Sequence, residues 1–144
     1  MEEQQEILEP IKTLVNTDTV KQLKNDFSEE KVTILSCTYV APNKYVNGGW
    51  INIYPTTYLI NPITNIQLPL LHAINVPFAP EKFYFSNKGD VKRFLLYFPA
   101  LPKYWNFFHL IEKVEDSSGF SVYSIQRNET GLYDIFIQPI SSIF

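Results

Sequence analysis

Turn-forming clusters punctuate most of this chain, and a polypeptide broken so often can build little besides short strands. The clusters are Asn47-Gly48, Asn61-Pro62-Ile63-Thr64-Asn65, Asn87-Lys88-Gly89-Asp90, Glu115-Asp116-Ser117-Ser118-Gly119 and Asn128-Glu129-Thr130-Gly131. Between them lie runs rich in β-branched and aromatic residues, at 32–40, 50–54, 57–60, 66–71, 83–86, 91–98, 107–114, 120–125 and 132–137. Turns at roughly ten-residue spacing predict an all-β fold, an antiparallel β-sandwich of seven to nine strands. Asn47-Gly48 predicts a tight hairpin joining 39–46 to 50–54. Along 120–125, Phe120, Val122 and Ser124 alternate with Ser121, Tyr123 and Ile125, one face against the other. Phe94 to Phe98 is apolar throughout, the mark of a strand covered on both sides. Six prolines from Pro55 to Pro99 mark strand ends and edges, because proline lacks a ladder donor. The stretch 73–82 reads as an extended crossover.

The β pattern begins at Lys31, and the first 30 residues differ from it in kind. They hold eight acids, three lysines and one aromatic, Phe27, and the other 21 aromatics follow. Ile7, Ile11 and Leu14, then Val20, Leu23 and Phe27, recur at helical spacing, with Pro10 limiting the first turn. The net charge of −3 is therefore a cancellation. An acidic segment, 1–30, carries −5 and is expected to be partly helical. A β domain, 31–144, carries +2. Opposite signs raise two expectations for the leader: packing on its own β domain, or docking on a basic partner. Dependence on salt separates a charged contact from an apolar one through Ile11, Leu14 and Leu23.

Part of the β domain resembles an accessory β-sandwich common in Bacteroidetes proteins, where it stands near the N-terminus of secreted or lipid-anchored chains. The resemblance covers about 32–126. It rests on Tyr54-Pro55-Thr56-Thr57-Tyr58-Leu59, Leu68-Pro69-Leu70-Leu71-His72-Ala73 and Pro77-Phe78-Ala79-Pro80-Glu81-Lys82. The most specific part is Phe94-Leu95-Leu96-Tyr97-Phe98-Pro99-Ala100-Leu101-Pro102, with Leu110-Ile111-Glu112 about ten residues later and Phe120-Ser121-Val122-Tyr123-Ser124-Ile125 beyond. The resemblance implies a sandwich with an accessory role and no catalytic centre of its own. Met1 is followed by Glu2-Glu3-Gln4-Gln5, not by a basic stretch and an apolar run. The compartment is extracytoplasmic if Met1 stands where a signal was removed, and cytoplasmic if it is the native start.

Candidate chemistry is sparse. One cysteine, Cys37, excludes an internal disulfide and an all-cysteine zinc site; inside a strand it reads as a small buried hydrophobe. His72 and His109 are the only histidines, each beside apolar residues, and no metal-ligand spacing exists. Glu112 is expected to accept hydrogen bonds from loop backbone. A hydrolase would need Glu112 to converge with His72 or His109 in one cleft. No loop cradles a phosphate, so no cofactor is expected. The acidic balance argues against nucleic acid, and no run of about 18 apolar residues spans a membrane. Asn128-Glu129-Thr130 fits the N-glycosylation pattern and predicts a surface turn.

The aromatics carry the remaining signal. Most fill a sandwich core. Trp50, Tyr54, Tyr104 and Trp105 are the candidates for a ligand or partner surface, Tyr104-Trp105 because they sit in a loop. The expected function is a non-enzymatic binding or accessory module contacting another protein. Alternatives are a carbohydrate-binding module with these four rings as its platform, a small subunit of an intracellular regulatory or defence complex, and the Glu112–histidine hydrolase.

Overall fold

A computed structural model describes residues 32–112 and 119–137. The acidic segment 1–30, with its expected helical turns, lies outside the described residues. Ten strands and no helix appear among them: β1 (Val32–Val40), β2 (Trp50–Ile51), β3 (Tyr58–Ile60), β4 (Gln67–Pro69), β5 (His72–Ile74), β6 (Phe83–Tyr84), β7 (Val91–Pro99), β8 (Phe107–Ile111), β9 (Ser121–Gln126) and β10 (Leu132–Ile137). They make two four-stranded sheets, ordered β10–β1–β7–β5 and β4–β3–β8–β9, and a two-stranded ribbon, β2–β6. The all-β reading holds.

Alternation along the strands decides what lies between the sheets. Leu35 and Cys37 of β1 point inward with Phe94, Leu96 and Phe98 of β7. Leu59 of β3, Phe108 and Leu110 of β8 and Ile125 of β9 meet them from the second sheet. An edge-on contact between Phe108 and Tyr133, ring centroids 5.2 Å apart, ties β8 to β10 across the core. The unbroken apolar run of β7 has the cause its composition implies. β7 is a central strand, and Phe94 to Phe98 are buried on both faces.

Two expected hairpins form. β3 and β4 pair through the 61–65 turn, where Asn61 Oδ1 accepts from the amides of Ile63 and Thr64. β8 and β9 pair antiparallel. The Asn47-Gly48 hairpin does not form. β1 pairs with β7 and β10, and β2 pairs with β6, so the strands on either side of Asn47-Gly48 belong to different sheets. Packing explains it. A Cβ on Gly48 would lie 2.8 Å from both Ala41 Cβ and Asn87 O, so the loop is pressed between the end of β1 and the 87–90 turn. That turn forms, yet β6 leaves it for the ribbon instead of folding onto β7. β10 has the expected bounds but pairs parallel with β1, because the chain crosses between sheets at 128–131. The alternation in β9 fails at Ser124. Its φ of 59° and a register shift opposite Phe108 and Leu110 make a bulge that turns Ile125 into the core in place of Ser124.

Candidate functional site

Residues 49–54 and 75–85 wrap around each other at the end of the sandwich where β1 finishes. The Phe85 amide donates to Gly49 O, the Ile53 amide to Pro77 O, and the Ala79 amide to Ile53 O. Asn52 Nδ2 donates to Glu81 O at 2.8 Å. The ribbon has two unlike faces. Ile51 pairs with Phe83, and both join the core. Below Phe83 lies Lys92, buried, its Nζ 3.7 Å from the ring centroid and 3.3 Å from Asn75 Oδ1. Burial lowers the pKa of that ammonium. Trp50 pairs with Tyr84 on the opposite, outward face, and they are 44% and 67% exposed. Lys82 Nζ stands 4.5 Å from the Trp50 ring centroid, a cation–π contact. Tyr45, also exposed, lays its ring along Gly49: a Cβ there would come within 2.9 Å of Tyr45 Cδ2.

Glu112 fastens this end of the molecule. It follows β8 and is 8% exposed. Its Oε2 accepts from the Tyr54 amide at 3.0 Å and its Oε1 from the Phe120 amide at 3.3 Å. This is the loop-backbone role read from the sequence. Burial raises its pKa to about 7, with the two amide hydrogen bonds opposing that rise. Tyr39 is pushed up to about 12, chiefly by burial, then by Tyr45 and Glu112. Neither oxygen of Glu112 is bonded to a histidine. His109 Nδ1 accepts from the Ser124 amide at 3.0 Å, and its ring meets Tyr123 edge-on. His72 lies in the other sheet, tilted against Tyr97. The two histidines thus lie in different sheets, and among the described residues the hydrogen-bond partners of the Glu112 carboxylate are the Tyr54 and Phe120 amides. Cys37 is fully buried, and burial pushes its thiol pKa far up. Among the described residues, no group of three His, Cys, Asp or Glu side chains could hold a metal.

The four aromatics proposed as one surface do not assemble. Trp50 stands in the ribbon and Tyr54 follows it. Tyr104 and Trp105 follow the far end of β7, a nine-residue strand roughly 26 Å long. Tyr104 is exposed, but Trp105 is fully buried against Phe108, ring centroids 6.5 Å apart. The loop folds its tryptophan inward because Arg127 Nη1 clamps the carbonyls of Pro102 and Trp105 from outside. Tyr84, the partner of Trp50, was not among the candidates. It lies in the run 83–86, and pairing with the two-residue β2 turns its ring to the outward face while Phe83 faces the core.

A cleft of about 350 Å³ lies at the same far end, beside Val32, Leu101, Arg127 and Tyr133. Its arginine is already spent on the Trp105 loop, and Asn128 on its rim closes the 128–131 turn by accepting from the Thr130 and Gly131 amides. No helix among the described residues is long and apolar enough to cross a membrane. Comparison of the chain with protein-family models, with curated proteins and with solved structures gave no match in any of the three.

Proposed function

We propose that this chain is a non-enzymatic binding module that engages a protein partner through the outward face of the β2–β6 ribbon. The observation that carries the reading is the exposed pair Trp50–Tyr84, held opposite each other in register. Tryptophan and tyrosine dominate the energetics of protein interfaces because they offer large, stiff contact area with a polar tip. Here the support is rigid: the inner face of the ribbon is locked into the core, and the segment after it is tied to Glu112. A sugar platform needs an open ring face. The Lys82 ammonium covers one face of Trp50, which favours a protein over a carbohydrate as the ligand. The accessory role implied by the sequence resemblance is consistent with this reading.

The test is affinity capture from native lysate, followed by titration of the captured protein against the wild type and the Trp50→Ala and Tyr84→Ala variants. Loss of about 30-fold or more in affinity for Trp50→Ala, with a thermal midpoint lowered by no more than about 5 °C, is expected. A partner that binds both variants as tightly as wild type would overturn the assignment of this face. Binding of the wild type to an oligosaccharide panel, abolished in Trp50→Ala, would replace the protein reading with the carbohydrate one.

A further inference from the structure

The end of the molecule that carries the outward face of the ribbon is basic as well as aromatic. Two segments build it, 43–50 and 82–89. The Phe85 amide donates to Gly49 O, and Asn87 O lies close against Gly48, so the two are stitched together. They hold Lys44, Lys82 and Lys88, all exposed, and no acid. Glu81 and Asp90 stand at the two ends of the second segment, and Asp90 Oδ2 is taken by the Asn87 amide. Two of the lysines lie on exposed rings. Lys82 Nζ is 4.5 Å from the Trp50 ring centroid, and Lys44 Nζ is 5.5 Å from that of Tyr45. Among the described residues, no carboxylate forms an ion pair with any of the three lysines.

We infer that the partner of this face is an acidic, partly apolar segment of another protein. Its Asp or Glu side chains seat on Lys82 and Lys44 while its apolar groups cover Trp50, Tyr84 and Tyr45. The inference rests on the ribbon reading above and names the chemistry of the partner. Ring and ammonium cannot be covered separately. A partner that buries Trp50 also covers the ammonium standing over that ring, and the same holds for Lys44 on Tyr45. Taking an ammonium out of water is costly, and a ring face offsets only part of that cost. A carboxylate beside each ammonium offsets more of it and steers the encounter. A neutral or basic partner would leave both lysines covered and uncompensated. Nucleic acid is the poorer match. Surfaces that bind single strands stack bases on open rings, whereas lysine here occupies one face of Trp50 and of Tyr45. The chain's net charge of −3 also opposes a polyphosphate.

The test is selection from a random dodecapeptide library displayed on phage. The full chain is the bait, and the full chain with Trp50→Ala and Tyr84→Ala together is the counter-selection. Enriched peptides should be net negative, with Asp or Glu set among apolar residues. The leading sequence, made as a synthetic peptide, is then titrated against the wild type and two paired variants. Lys44→Glu with Lys82→Glu should weaken binding at least about tenfold. Lys44→Arg with Lys82→Arg keeps both charges and should bind within about threefold of wild type. High salt should weaken the wild-type complex. Enriched peptides that need Trp50 and Tyr84 but are neutral or basic would overturn this inference and leave the ribbon reading standing. Binding unmoved by the charge reversal would do the same. No enrichment over the double variant would overturn both. Oligothymidylate that binds as tightly as the peptide, and loses affinity in the same variants, would overturn the assignment to a protein.

Discussion

Glu112 and Tyr54, 58 positions apart, are joined by a single bond: the amide of Tyr54 donates to Oε2 of Glu112 at 3.0 Å. The carboxylate is buried, has no cation beside it among its bonded partners, and is held by amides alone. Burial raises its pKa from 4.5 to about 7, so the folded state binds the proton more tightly than the unfolded state. The associated stability is full below about pH 4.5 and is lost as pH rises through about 7. The loss is on the order of 3 kcal/mol. Urea denaturation at pH 5 and pH 8 should show a lower midpoint at pH 8, and Glu112→Gln should flatten that difference. An equal difference in the Gln variant would assign it to other groups.

Gly48 and Gly89 both have left-handed backbones, with φ of 88° and 86°, but different surroundings. A methyl group at Gly48 would strike Asn87 O and Ala41 Cβ at 2.8 Å, whereas nothing lies within 4 Å at Gly89. Gly89→Ala should therefore cost only the left-handed penalty, about 1–2 kcal/mol. Gly48→Ala should cost that and a backbone displacement of 1–3 kcal/mol more. Thermal denaturation of both variants checks the order. Equal losses would mean that the loop around Gly48 yields without cost.

What the sequence disclosed depended on whether the signal was local. β10 was legible to the residue, and the 61–65 turn was legible because Asn61 caps it with its own side chain. The burial of Phe94 to Phe98 followed from composition. The choice of strand partners was not local. Asn47-Gly48 carries the chemistry of a hairpin, yet close packing of Gly48 against Ala41 and Asn87 sends its flanking strands to different sheets. The bulge at Ser124 depends on a histidine 15 positions away. The candidate surface suffered in the same way. Trp105 looked exposed because it sits in a loop, but the guanidinium that draws the loop inward comes from Arg127. Tyr84 carried no signal of its own, because its outward face is set by pairing with Trp50 across 34 positions.

Lys92 is a buried ammonium whose partners are a ring and an amide oxygen, with no carboxylate bonded to it. Burial lowers its pKa, so the folded state binds its proton less tightly than the unfolded state. The linked stability is present above the unfolded pKa and is lost as pH falls through the lowered folded value. Lys92→Met keeps the stem that packs in the core and removes the charge. The variant should be at least as stable as wild type at pH 7, and the wild type's rise in stability as pH climbs toward the unfolded value of 10.5 should vanish. Denaturation midpoints across that range measure both effects. A loss of more than about 2 kcal/mol at pH 7 would show that the contacts to Phe83 and Asn75 outweigh the cost of burying the charge.

The two tryptophans separate surface from core. Trp50 is held outside, with Lys82 over its ring, and its truncation removes one exposed cation–π contact of about 0.5–1 kcal/mol. Trp105 is fully buried, and truncation there opens a cavity costing about 3–5 kcal/mol. Trp105→Phe should cost much less, because it keeps most of the ring and removes an indole N–H that is buried without an acceptor. Denaturant titrations of Trp50→Ala, Trp105→Ala and Trp105→Phe should therefore fall in the order near wild type, strongly destabilised, mildly destabilised. If Trp50→Ala lost as much stability as Trp105→Ala, the ribbon's outward ring would be structural. A ring already needed by the fold would give no reason to read that face as the place where a partner binds.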